Sequence, residues 1–313
     1  MNRKINTICP YTLSPLNSIK NNGEHVIPAG LGVPESFTVK CSAKENTKMN
    51  LILDEPFLNM SYIKFMLSTS GVCTRSGISE PFFCGKTIGT GDEVLVKFSP
   101  DNLDFKMKIP VRKDEENKIF AVVGYDNEVG ATLKKVRDKY ESKGFAVSFS
   151  ESVSLKEDVR IRLEVDLKIL YRQILKIAYL STVYVYGDDA ITCSSSHEII
   201  ERLNGNVQID APSELIKILP WDIAKFPVLP EIAKNKHTIA TFNFGGNLLS
   251  AVSLFGHYAY VVSIKNRNMD TDDVDGMIYE IDYRNRSMIR RKYTDFMEDK
   301  FKNGIDEHLP PGY

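Results

Sequence analysis

Beyond Thr238 the chain becomes dense in β-branched and aromatic residues, set in short runs that turn-forming residues interrupt. The runs are Ile239–Phe244, Leu248–Leu254, Tyr258–Ile264, Met277–Tyr283 and Met288–Lys292, and the interruptions include Gly245-Gly246, Phe255-Gly256-His257 and Arg284-Asn285-Arg286. Runs joined by turns this tight pair antiparallel, because a parallel return needs a crossover of about a dozen residues or more. The spacing predicts an antiparallel sheet in the C-terminal third. It also decides how Leu248–Ile264, the longest apolar-leaning stretch, is read. Ser250, Ser253, Gly256, His257 and Ser263 interrupt it, and it falls short of the ~18–20 residues a membrane span needs. Two strands are expected there, and no membrane partner.

Upstream, helical spacing takes over. Val129, Leu133, Val136 and Tyr140 predict a helix from about Glu128 to Lys143, capped by Asp126 or Asn127 and followed by Gly144 in the left-handed position. Val159 to Val165 alternates apolar and charged residues, the mark of a half-buried strand. Leu167, Leu170, Tyr171, Ile174, Leu175 and Ala178 form one apolar helix face running to about Tyr179, with Asp166 placed to cap it. Ser195 and Glu198 have capping-box spacing ahead of Ile199, Ile200 and Leu203, and Asn204-Gly205 closes that helix. Strands and helices are partly segregated, so the fold class is α+β, not an alternating doubly wound fold. No internal repeat suggests a solenoid or propeller. With 313 residues there is room for about two domains, and 42% hydrophobic against 26% charged residues argues for a packed core.

The 40 basic residues are balanced by 41 acidic ones, so any nucleic acid must be met by a local patch. The first residues, MNRKINTICPYTLSPLN, hold no apolar stretch of the ~7–15 residues a signal peptide needs. Five cysteines, an odd and sparse number, fit a reducing compartment, and the cytoplasm is the expected location. Cys73, Cys84 and Cys193 lack metal spacing and read as structural or incidental thiols, and His197, His237, His257 and His308 form no i, i+4 metal pair. Tyr186-Gly187-Asp188-Asp189 reads as a turn closing the Leu167 helix, and Gly85-Lys86-Thr87 has Glu80 where a phosphate loop would need its first glycine. Arg284, Arg286, Arg290, Arg291 and Lys292, interleaved with Tyr283 and Tyr293, form the densest basic segment. Such a set can meet phosphates by charge and bases by stacking. A terminal hairpin with a solvated face is the preferred account, since Asp282, Asp295 and Glu298 dilute the field. A homo-oligomer is left open.

The stretch from Cys9 to Phe57 contains Cys9-Pro-Tyr-Thr12, then Glu24-His25-Val26-Ile27-Pro28, Leu31-Gly32, Cys41-Ser-Ala-Lys44 and Asn46. In this order the residues resemble an HNH endonuclease of the zinc-knuckle branch, in which paired cysteines flank an acidic-His-aliphatic-aliphatic-Pro segment. The resemblance implies an N-terminal ββα-metal module over residues 1–60, followed by an α+β body over 61–313 that recognises substrate or acts as a sensor. A weaker likeness to uncharacterised relatives runs through Leu170–Gly187 and Leu254–Ile264. The implied chemistry is metal-dependent hydrolysis of phosphodiester bonds, with DNA as the substrate and, by family association, a role in defence against foreign DNA. His25 would activate water, since imidazole has an ordinary pKa of about 6.5. Glu24 and Asn46, or Asn50 in its place, would hold one hard divalent ion, Mg²⁺ or Mn²⁺, and Lys44 and Lys48 would meet the nucleic acid. Neighbours on a strand face opposite ways, so Glu24 and His25 converge only if the strand is irregular there, as Gly23 and Pro28 would permit.

Thr12 and Lys44 stand where the family's second cysteines would be, so no structural zinc is expected. Apolar packing by Ile8, Tyr11, Leu16, Val26, Ile27, Leu31, Phe37, Met49 and Leu51 would hold the module instead. The rival expectation is a non-catalytic nucleic-acid-binding or sensor protein in which a degenerate HNH segment survives as a scaffold.

Overall fold

The longest helix, Leu167–Tyr186, is apolar around most of its circumference, and a helix of that kind is stable only when other elements surround it. Asp166 starts it, its carboxylate accepting hydrogen bonds from the backbone N–H of Lys168 (2.9 Å) and Ile169 (3.1 Å), and Gly187 at φ 64° ends it. The computed structural model describes residues 4–75, 77–78, 80–113, 115–116, 119–149, 157–222, 229–266 and 275–304; His308 lies outside them. The chain divides into two compact units, Met1–Ser79 with Val165–Tyr313, and Glu80–Glu164.

The first unit opens with β1 (Asn21–His25) and β2 (Thr38–Ser42), antiparallel with Glu24 opposite Val39 and His25 opposite Thr38. There follow α1 (Ala43–Met49), a π-helical turn (Asn50–Asp54), α2 (Glu55–Asn59), α3 (Ser61–Ser70) and the short ladder of β3 (Cys73–Thr74) and β4 (Gly77–Ile78). The second unit holds β5 (Phe82–Thr87), β6 (Glu93–Phe98), β7 (Leu103–Met107), β8 (Val111–Lys113), β9 (Ile119–Val122), α4 (Asp126–Glu141) and β10 (Val159–Ile161). Its main sheet has the order β10-β5-β6-β7, and Val94, Val96 and Met107 form its core with Phe98, Phe105, Val159 and Ile161. The first unit then resumes with α5 (Leu167–Tyr186), α6 (Asp188–Ile191), α7 (Ser196–Asn204) and β11 (Ile216–Pro220). It ends with β12 (His237–Phe244), β13 (Asn247–Leu254), β14 (Tyr258–Lys265), β15 (Gly276–Asp282), β16 (Ser287–Lys292) and α8 (Tyr293–Gly304).

The fold is mixed α+β with a C-terminal six-stranded antiparallel sheet in the order β11-β14-β13-β12-β15-β16. All five expected strands are present. Gly245 and Gly246 turn β12 into β13 with φ 56° and 73°, a turn both residues make at little steric cost. β11 and α8 had no clear sequence signal: one is a short edge strand ending in Pro220, the other follows a basic run that reads as strand. α5 packs on β12, β13 and β14 and also against β2, the π-helical turn and α2, so its residues from Gln173 to Tyr186 are buried. Where α5 meets the sheet, Ser181, Thr241 and Ser250 satisfy one another as a buried hydroxyl trio, with Ser181 Oγ 2.7 Å from Ser250 Oγ and 2.9 Å from Thr241 Oγ1. Among the described residues no helix is long and apolar enough to cross a membrane.

Three local expectations need correction. The strand read over Val159–Val165 pairs with β5 only from Val159 to Ile161, although β5 itself continues from Gly85 back to Phe82. α4 starts two residues early, with Tyr125 at the cap and no side-chain bond. Ser195 does cap α7, but its hydroxyl donates to the Lys265 carbonyl (2.7 Å) and Glu198 pairs with Arg202, so no capping box forms.

His237 ties the sheet to the β1–β2 connection. Its Nδ1 accepts from the Phe255 backbone N–H (3.0 Å), which leaves Nε2–H to donate to the Leu31 carbonyl (2.9 Å). The ring is fully buried, and burial pushes its pKa down to about 4. The unfolded chain binds a proton near pH 6.5 that the folded ring refuses, so this stabilisation is complete above pH 6.5 and is lost as pH falls towards 4. The shift to about 4 corresponds to a loss of about 3 kcal/mol. Urea denaturation of the protein and of His237→Asn at pH 7 and pH 4.5 checks it: the variant loses much less between the two pH values.

Candidate functional site

The β1–β2 hairpin places two neighbouring residues on opposite faces. β1 remains regular through its last pair, His25 with Thr38, so the alternation of a strand holds at Glu24 and His25. Glu24, only 2% exposed, faces the interior, and the partly exposed His25 faces outward.

On the inner face Glu24 Oε1 lies 2.5 Å from Lys176 Nζ, and the Tyr11 hydroxyl donates to the same oxygen at 3.3 Å. Lys176 comes from the middle of α5 and is wholly buried. Its ammonium also donates to both oxygens of Asp54, at 2.8 and 2.7 Å, so its three N–H groups are matched by three carboxylate oxygens. Asp54 closes the π-helical turn, which turns Leu51 outward, against expectation, at 57% exposure. Burial raises the Glu24 pKa, with Lys176 opposing the rise. Burial alone would lower that of Lys176, but Asp54 and Glu24 outweigh it and hold the ammonium charged. A divalent cation placed at Glu24 would lie beside this fixed positive charge.

On the outer face His25 Nε2 is 3.6 Å from Glu35 Oε2. Glu35 accepts from Arg75 Nε at 2.7 Å and is also paired with Arg286. The Arg75 hydrogen bond, helped by Arg286, holds the Glu35 carboxyl down at about 2. Burial lowers the His25 pKa, with Glu35 opposing the fall, so the imidazole is neutral at pH 7.

The other expected residues divide between these faces and the surface. Asn46 reaches back from α1 to β1, its Nδ2 donating to Gly23 O and Asn22 Oδ1, both at 3.0 Å. Asn50 donates instead to Glu55 (2.7 Å). Lys44 and Lys48 are exposed on α1, and Lys48 lies 3.8 Å from Glu45. Thus Asn46 is brought to the strand that carries Glu24, while Glu24 and His25 are not brought to one site. Of the basic segment, Arg286 reaches Glu35, Arg284 donates to the Ser70 carbonyl (2.8 Å), and Arg291 pairs with Asp299. Arg290 and Lys292 are exposed on β16. Tyr283 and Tyr293 are buried, the latter stacked on Phe242 at 4.1 Å, so neither ring is offered to a base. Cys9 and Cys41 are both buried with their sulfurs 3.9 Å apart; hydrogen bonding from Cys41 holds the Cys9 thiol down at about 5.

Sequence reasoning missed Lys176, Asp54, Glu35 and Arg75. Lys176 carried a signal: it is the one charge between Ile174 and Tyr186, on a helix whose neighbouring residues are otherwise apolar or uncharged. The remaining three belong to contacts between distant segments and had none. No family model, no curated protein and no solved structure matches the chain.

Removing Lys176 would strand two carboxylates in the interior. Lys176→Met is expected to cost about 3–5 kcal/mol, the range for breaking a buried charge set by deleting one partner. Glu24→Gln with Asp54→Asn in the same background should recover part of the loss. Denaturation midpoints measure both, and a loss below about 1 kcal/mol for Lys176→Met would show that the ammonium is not needed.

Proposed function

We propose that this chain is a nucleic-acid-binding protein built on an HNH-like scaffold that does not cut. The reading is carried by the Lys176 ammonium, 2.5 Å from the carboxylate that a nuclease would give to its metal. A hard divalent ion needs several oxygen donors and tolerates no fixed cation among them. The donors present do not fit one: Glu24 and Asp54 are committed to Lys176, and His25 lies across the strand. What supports the scaffold half is the hairpin followed directly by α1, with Asn46 bonded to Gly23. What supports the binding half is the meeting of Arg75 and Arg286 beside His25, two guanidinium groups from distant segments suited to phosphate oxygens.

The second reading is the metal-dependent HNH endonuclease, with His25 as base and Glu24 and Asn46 on Mg²⁺ or Mn²⁺. The Asn46 contact with β1 beside the Glu24-His25 pair favours it.

Binding of duplex DNA in Mg²⁺, in Mn²⁺ and in EDTA, run beside a plasmid-cleavage assay, separates the two. The expected result is equal affinity in all three, falling steeply with salt, and intact plasmid. Metal-dependent cutting that His25→Ala abolishes would overturn the proposal in favour of the nuclease, and failure to bind DNA would remove the binding half.

A further inference from the structure

We infer that Glu35 occupies, within the chain, an anion site made for a phosphoryl group, with Arg75, Arg286 and the edge of His25 as its walls. The inference deepens the proposed nucleic-acid reading by naming what that surface takes and what holds it closed.

Three segments far apart in the sequence are brought together to make the site. Gly32 sits at φ 76°, and a Cβ there would lie 2.4 Å from the Tyr283 carbonyl oxygen and 2.9 Å from Val72 Cγ1, so only glycine lets the β1–β2 connection approach this closely. The same Tyr283 carbonyl accepts from the Cys73 backbone N–H at 3.1 Å. This junction sets Glu35 of the connection, Arg75 of the β3–β4 turn and Arg286 of the β15–β16 turn side by side. Asp282 shapes the last turn by accepting from the Arg284 and Asn285 backbone N–H groups (2.9 and 3.1 Å), and it spends its other oxygen on Asn285 Nδ2 (2.7 Å). Arg286 itself adopts φ 50°, a left-handed conformation that a glycine would adopt more freely than a residue with a side chain.

The charge at the site is unbalanced in favour of an anion. Two guanidinium groups face one carboxylate, and His25 Nε2 and Arg286 Nε are both shielded from water without a hydrogen-bond partner. A carboxylate offers two oxygens; a phosphodiester offers two non-bridging oxygens of similar spacing, and a terminal phosphate offers a third that the two idle nitrogens could meet. The Glu35 side chain is half exposed and can swing out into water.

Isothermal titration with inorganic phosphate, with pyrophosphate and with a single-stranded DNA oligonucleotide tests this on the full chain and on Glu35→Gln, Arg286→Ala and Arg75→Ala. Glu35→Gln is expected to bind roughly tenfold more tightly to at least one of the probes. Arg286→Ala in that background is expected to remove the gain and, for DNA, to reduce the salt slope by about 0.7. A gain with pyrophosphate but no DNA binding by any variant keeps the anion site and rejects the nucleic-acid reading. DNA binding that Glu35→Gln leaves unchanged, or no gain with any probe, overturns the site. Melting curves of the variants exclude unfolding as the cause.

Discussion

One buried ammonium governs the arrangement of the first unit. Lys176 is surrounded by α5, the hairpin and the π-helical turn, and its three protons are directed at Glu24 and Asp54. An unpaired charge in such a place costs several kcal/mol, whereas apolar neighbours would accept many near-equivalent packings. The ammonium therefore does what the leucines and valines around it cannot do, which is to fix one rotation and one translation of α5. Sliding the helix by a single residue would turn Lys176 by about 100° and leave both carboxylates facing hydrocarbon.

The same hairpin has an opposite character on its two sides. Glu24 is locked inside among fixed partners, in surroundings where screening by salt is weak. One residue later, His25 looks onto a shell of arginines and a carboxylate that are partly open to water. The period of two in an extended strand produces this contrast from adjacent letters, and it separates a buried charge cluster from one that water reaches.

The C-terminal sheet could be read from the sequence because its information is local. Gly245-Gly246, Phe255-Gly256-His257 and the flanking runs each specify their own turn and pairing. The start of α5 was legible for the same reason, through Asp166. The site was legible only as a set of residue types. What Glu24 meets depends on a lysine in α5 that stands out only as a lone charge, and what surrounds His25 depends on Glu35 and Arg75, which have no periodic or motif signature at their own positions. Tyr283 and Tyr293 show the same limit: beside arginines they allow stacking on bases as an alternative to a plain hairpin, and only their contacts with Phe255 and Phe242 inside the protein decide between the two. The segment between Glu80 and Glu164 was read poorly except at α4, since its strands are short and its core rests on few large residues.

The first unit is assembled from two stretches of chain with the second unit interposed between them. The hairpin and the π-helical turn therefore carry carboxylates whose counter-charge lies far downstream, 122 positions on in the case of Asp54. The interposed unit is contiguous, so its contacts close over shorter loops and with a smaller entropic penalty. The first unit, by contrast, has the longer loops to close. Phe37 packs edge-on against Tyr184 of α5 at 4.8 Å, so the earlier of the two stretches leaves part of its core open until the later one closes over it.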